Sequence, residues 1–178
     1  HWRLRGPFAQ PKDDGPALIA AAIPEEAQAV AGQTAGDAWR AAQADERGWV
    51  NLGAALGADR SVVGYAVTVI KADQAWVARL RLGVDYWLAA WLNGELVYRV
   101  VEGHGSPRAS RHLVDVPLRA GDNVLCLKVG SGGKGFGFWA NLSRPGWDPR
   151  ALAGEAPLLP SLYDRGIALA DPYEFHYW

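Results

Sequence analysis

Short apolar runs bracket the dipeptide Asn93-Gly94, and this pair constrains the chain more than any other stretch. Both residues tolerate φ > 0, so they close a two-residue hairpin between residues 87–92 and 96–101. Similar short runs recur at residues 78–82, 114–118, 124–129 and 136–142, separated by Gly, Asn, Asp and Pro. That pattern is how antiparallel strands read. Ala120-Gly121-Asp122-Asn123 is expected to join 114–118 to 124–129 by a second turn of the same kind. Residues 76–142 then form a β-meander, with any function on its face or its loops.

Length and charge narrow the classes. A chain of 178 residues suits one domain with room for a two-sheet core. A net charge of −1 gives no field for nucleic acid or for an anionic membrane, and no apolar run is long enough to span a bilayer. The chain begins at His1 without an initiator Met, which reads as a mature or excised segment without its targeting signal. A lone Cys126 excludes an internal disulfide, and its place in a strand reads as a buried, inert thiol. Nine Trp against no Met is the unusual feature. Stiff, flat indoles suit both core packing and stacking on sugar rings, and most are expected in the core.

Elsewhere, residues 2–5 alternate as an opening strand ended by Gly6-Pro7. Residues 8–22 read as an irregular surface segment, because Pro11, Gly15 and Pro16 break any period. Pro24-Glu25-Glu26 and the small residues up to Gly32 predict one or two helical turns. Trp39 and Trp49 flank a polar turn, and residues 51–56 predict a short helix. Residues 62–70 predict a strand with Val63, Tyr65, Val67 and Val69 on one face. From Arg144 onward the alternation fades. The aromatic ending through Tyr173, Phe175, Tyr177 and Trp178 is expected to pack back on the body, since exposing it is unfavourable. The expected organisation is one domain over 1–178, a sandwich over 2–143 with a C-terminal segment, 144–178, laid on it.

Several stretches together resemble the galactose-binding-domain-like β-sandwich, and more narrowly the jelly-roll accessory modules of bacterial polysaccharide-degrading enzymes. They are Trp2-Arg-Leu-Arg-Gly-Pro-Phe8, Pro24-Glu25-Glu26, Tyr65-Ala66, Trp91-Leu-Asn-Gly94, Val114-Asp-Val-Pro-Leu118, Gly121-Asp-Asn123, Leu127-Lys-Val-Gly130 and Gly137-Phe-Trp139. The resemblance implies an all-β, antiparallel jelly roll of about eight strands and, commonly, non-catalytic carbohydrate binding. It allows a structural calcium without assigning ligands. In many relatives the turn before the Trp-Leu-Asn-Gly strand reads Asp-Asp-Gly; here it reads Asp85-Tyr86-Trp87.

That turn supplies the first candidate ligand-binding residues. An exposed aromatic there stacks on a pyranose while Asp85 accepts from hydroxyls, and strand alternation turns either Tyr86 or Trp87 away from the interior. Trp91 reads as packed. His104, Arg108 and Arg111, with His112, cluster about a polar loop, either as the rim of a glycan site or as an ordinary surface loop. A Gly-rich loop at 130–137 places Lys134 and Phe136 at its tip, and leaves the same sheet region, so the two loops flank one surface. It does not match a phosphate-binding loop. Arg79 and Arg81 read as a solvated face paired with acids rather than a strip for an acidic polysaccharide.

No catalytic set stands out. Asp85, Glu95, Glu102 and Asp115 are the acids near the meander, and any glycosidase pairing among them depends on separation in space. Ser106 lacks a nucleophile elbow, and the four His show no metal-ligand spacing. The leading expectation is a non-catalytic module, secreted, periplasmic or at the cell surface. Its partners are a poly- or oligosaccharide and a neighbouring catalytic domain, not nucleic acid or membrane. A structural domain that binds no sugar, or a lyase or glycosidase in its own right, are the alternatives.

Overall fold

A computed structural model describes residues 1–9, 15–58, 60–103, 107–133 and 135–145. In chain order the strands are β1 (Trp2–Ala9), β2 (Arg40–Ala42), β3 (Trp49–Asn51), β4 (Val62–Ala72), β5 (Trp76–Val84), β6 (Trp87–Leu92), β7 (Glu95–Val100), β8 (His112–Leu118), β9 (Gly121–Ser131) and β10 (Gly137–Ser143). Three short helices are α1 (Gly15–Ala20), α2 (Glu26–Val30) and α3 (Leu52–Leu56). The strands form two antiparallel sheets, ordered β2-β1-β4-β9-β6-β7 and β3-β10-β5-β8. The chain therefore changes sheet at every step from β2 to β6 and again from β7 to β10, and consecutive strands share a sheet at β1–β2 and at the β6–β7 hairpin. This winding is a jelly-roll β-sandwich, the all-β class expected, with Leu4, Leu80, Leu82, Leu88, Leu127 and Phe138 in the space between the sheets.

Asn93-Gly94 closes the β6–β7 hairpin as read from sequence, with Asn93 at φ 53 and Gly94 at φ 91. The remainder of the meander is not found. β8 pairs with β5 and β9 lies between β4 and β6, so residues 119–120 turn a corner between sheets. The local signal is the same for both because a Gly-Asp-Asn turn specifies a reversal, not the sheet that receives the next strand. Buried Asn123 holds that corner. It accepts from the Arg119 amide at 3.0 Å and from Asn93 Nδ2 at 2.9 Å, and donates to the Arg119 carbonyl at 2.8 Å. The hairpin and the corner are thereby tied together.

Gly6-Pro7 does not end β1. The strand runs on to Ala9 across a register shift between Arg5 and Phe8, a break that accommodates proline's missing donor. The helix expected over 51–56 is α3, Leu52–Leu56, with Asn51 as its N-cap. Asn51 Oδ1 accepts from the Ala54 amide at 2.9 Å, and Gly57 ends the turn in the left-handed region.

The segment read as irregular surface, 8–22, includes α1, whose Ile19 is buried. α1 and α2 cover the outer face of the six-stranded sheet. β4 is consequently buried on both sides: Val62 and Ala66 meet the sandwich core, and Val63, Tyr65 and Val67 lie under the helices. On the neighbouring strand Cys126 is buried in the same layer, and burial pushes its thiol well above the ordinary range, as suits an inert side chain.

Lys128, fully buried, fastens this layer. Its ammonium donates to the Ile19 carbonyl at 3.2 Å, the Ala21 carbonyl at 2.5 Å and Glu26 Oε2 at 2.6 Å. The Tyr65 hydroxyl donates to the same carboxylate oxygen at 2.8 Å, and burial followed by that carboxylate raises the phenol far above its usual range. An ammonium in an apolar layer is tolerable only with its donors paired. Glu26→Ala should therefore lower stability by about 3 kcal/mol, read as a fall in the urea midpoint. Lys128→Met should cost less, because it leaves the partly exposed Glu26 as the remaining ion.

Candidate functional site

One end of the sandwich gathers the β3–α3 junction, the α3–β4 and β5–β6 links, and the β7–β8 and β9–β10 loops. Asp85-Tyr86 is the two-residue link by which the chain leaves the four-stranded sheet after β5 and enters the six-stranded sheet at β6. So short a crossing leaves both side chains at the rim.

Asp85 is 6% exposed, and its Oδ1 has no hydrogen-bond partner among the described residues. Burial accordingly raises its carboxyl above the ordinary range. Gly135, at φ 101, passes so close that any β-carbon there would collide with Asp85 Oδ2. Ser131 Oγ donates to the Gly135 carbonyl at 2.9 Å and closes this loop.

Tyr86 is half-buried, its ring walled by backbone. A β-carbon at Gly132 would lie 3.0 Å from Tyr86 Cδ1 and 2.9 Å from Trp87 Cη2. One at Gly133 would lie 2.6 Å from the Tyr86 hydroxyl, and one at Gly103 would lie 3.2 Å from Trp87 Nε1. Glycine gives these loops room to lie against the aromatic pair, most tightly at Gly132. Glycines of both loops do meet at the Tyr86–Trp87 pair.

Of the aromatics, Tyr86 keeps the exposed position. Trp87 is 8% exposed and packs with Ile19, Val63 and Ala89 beneath α1. Alternation required one of the pair to leave the sandwich interior; it did not anticipate that the outer face is itself covered. Phe136 is a correction of the same kind. It is not at a loop tip but 3% exposed in the sandwich core, because the loop dips inward to start β10. Trp91 is packed against the helical layer, as expected. Arg108 and Arg111 are exposed. The Arg108 carbonyl crosses Gly83, where a β-carbon would strike it. His104 and Lys134 lie outside the described residues, as does the C-terminal stretch from 146 onward.

Beside the Gly135-Phe136 flank of the loop is an open hollow of about 400 Å³ lined by Asn51, Gly53, Ala54, Gly57 and Ala58. Sequence reasoning missed these residues; the asparagine-capped helix was visible, but not its place beside the second loop. Among the acids, Glu95 is at the opposite end in the β6–β7 hairpin and Asp115 is forked with Arg79 at 2.7 and 3.0 Å. That fork bears out the paired-face reading of Arg79. Among the described residues no three of His, Cys, Asp and Glu come together to hold a metal, so the side chains described do not supply an acidic cluster for calcium.

No protein-family model matches the chain, and no curated protein matches it. Among solved structures it is similar to a β-glucosidase from Kluyveromyces marxianus, at 17% identity and a TM-score of 0.38 over 47% of this chain and 11% of that one. A family 35 carbohydrate binding module from Clostridium thermocellum aligns at 16% identity and a TM-score of 0.38 over 58% of this chain and 86% of that one. A β-glycosidase from Bacteroides vulgatus aligns at 13% identity and a TM-score of 0.38 over 81% of this chain and 19% of that one. This chain therefore spans only a small part of either enzyme. Likenesses of this size carry nothing about what it binds.

A carboxyl raised by burial binds its proton more tightly folded than unfolded. Its contribution to stability is then greatest at low pH and falls as pH rises above about 4. Asp85→Asn should flatten that slope and raise the melting temperature at pH 7, measured by calorimetry from pH 4 to 8.

Proposed function

We propose that this chain is a non-catalytic carbohydrate-binding module of a larger glycan-degrading protein, with its site at the loop end. The reading is carried by one observation: glycines of two loops converge on the partly exposed Tyr86, and the second of those loops also borders an open hollow at Gly135. A phenol ring held on a rigid turn offers a stiff apolar face to a pyranose at little entropic cost. At the hollow, Gly57 has open space where a β-carbon would stand, which lets a sugar approach the backbone closely. Asn51 at the hollow, with Arg108 and Arg111 beyond the turn, supplies polar groups for hydroxyls. Shallow sites of this kind bind with Kd of about micromolar to millimolar.

Two of the carboxylates support binding without turnover. Asp85 is covered by Gly135, so it is poorly placed to reach a glycosidic oxygen, and Asp115 is engaged by Arg79. Secretion and attachment to a catalytic neighbour belong to the same proposal. A structural domain without sugar binding is the second reading, favoured by the burial of Trp87 and Phe136.

Affinity electrophoresis in gels cast with soluble β-glucan, xylan or galactomannan, run beside a reducing-sugar assay, separates these readings. Retardation without sugar release is expected, and Tyr86→Ala should weaken it about ten-fold. Absence of retardation would favour the structural reading, and sugar release would reinstate an enzyme.

A further inference from the structure

The outer face of the four-stranded sheet has its own aromatic surface. Along β5, Ala78, Leu80, Leu82 and Val84 point into the core, so Val77, Arg79, Arg81 and Gly83 point outward. The same alternation turns Phe138 and Val50 inward, and Trp139, Asn141 and Trp49 outward. Register sets these residues side by side. Trp139 is opposite both Trp49 and Gly83, Asn141 is opposite Arg81, and Arg79 is opposite Asp115.

Each indole lies against a glycine of the neighbouring strand. A β-carbon at Gly137 would run into the Trp49 ring, and one at Gly83 would come within 3.1 Å of Trp139 Cε3. Trp49 therefore crosses bare backbone at Gly137, whereas Gly83 is covered chiefly by the Arg108 carbonyl with the edge of Trp139 beside it. The ring centroids are 4.3 Å apart at 54°, and Trp139 Nε1 donates to the Arg47 carbonyl at 3.1 Å, which fixes the ring's orientation. Both indoles remain half-exposed. Further along the face Asn141 is exposed, and Asp115 keeps 42% of its side chain open beyond its fork with Arg79.

We propose that this face is a second saccharide platform, taking a neutral pyranose chain across Trp49 and Trp139 with Asn141 and Asp115 bonding to its hydroxyls. An indole face matches the C–H face of a sugar, and the two faces here are set at 54° to one another. The edge of the sugar needs both donors and acceptors, and an amide on β10 with a carboxylate across β5 on β8 offers both. Preference for a neutral chain follows from charge: Arg79 is neutralised by Asp115 and Arg81 is buried rather than presented. The platform goes beyond the loop-end reading and stands or falls apart from it.

The test is affinity electrophoresis of the whole chain in barley β-glucan, xylan, galactomannan and polygalacturonate, with circular dichroism melts as the folding control. Trp139→Ala should weaken retardation on at least one neutral polysaccharide about ten-fold, and Asn141→Ala, at an exposed position, several-fold. Both losses should persist in the Tyr86→Ala background. If Asn141→Ala and a folded Trp139→Ala bind every neutral polysaccharide as the parent does, the platform is refuted even where Tyr86→Ala has lost binding. Binding confined to polygalacturonate, or to none of the four, overturns it as well. Loss in Trp139→Ala with none in Tyr86→Ala supports the platform and removes the loop-end site.

Discussion

The pairing of β4 with β9 over eleven residues on each strand is the constraint on which the rest of this structure depends. These are central strands of the larger sheet, and each must satisfy water-excluding surfaces on both sides. Toward the sandwich they present Val62, Ala66, Leu125, Leu127 and Val129; toward the helices they present Val63, Tyr65, Val67, Cys126 and Lys128. A strand buried on both faces loses the alternation that marks a half-exposed one. One cation in that second layer then determines where the preceding helices lie. Lys128 has three oxygen partners on residues 19, 21 and 26, so the segment ahead of β2 is drawn onto the sheet by hydrogen bonding as well as by Ile19 and Ala29.

Closing that outer face has a consequence for recognition. A ring that alternation turns out of the sandwich between β5 and β6 does not reach solvent if it points under α1, as Trp87 does. Only the ring one residue earlier, on the crossing itself, stays at the surface. The smaller sheet has no such helical layer from α1 and α2, and its outward residues Trp49 and Trp139 stay half-exposed. Both candidate surfaces rest on glycine for the same physical reason. Where a backbone must pass within van der Waals distance of a flat ring, a β-carbon has nowhere to go. Gly103, Gly132 and Gly133 serve Tyr86 and Trp87; Gly137 serves Trp49, and Gly83 admits the Arg108 carbonyl beside Trp139.

Several of these features were legible before any coordinates. Asn93-Gly94 marked its hairpin, Asn51 and Gly57 marked the ends of α3, and the two loops were expected to flank one surface. Others carried no distinguishing signal. Phe136 sits among glycines in a polar-looking stretch, and nothing local says that the chain dips into the core there. Lys128 lies in a run that otherwise reads as an ordinary strand, and its partners are more than 100 residues away in sequence.

By itself the sequence determined that this chain is an antiparallel all-β protein, where most of its strands run and where its tight turns fall. Those are properties of neighbours along the chain: backbone φ at Asn and Gly, and alternation within a strand. Only the tertiary structure decided which strand lies beside which, and with it that a turn at residues 119–120 joins two sheets rather than two neighbours. It also decided which aromatics are covered, because burial depends on what packs against a face, and for Trp87 that is a helix some 70 residues distant in the chain.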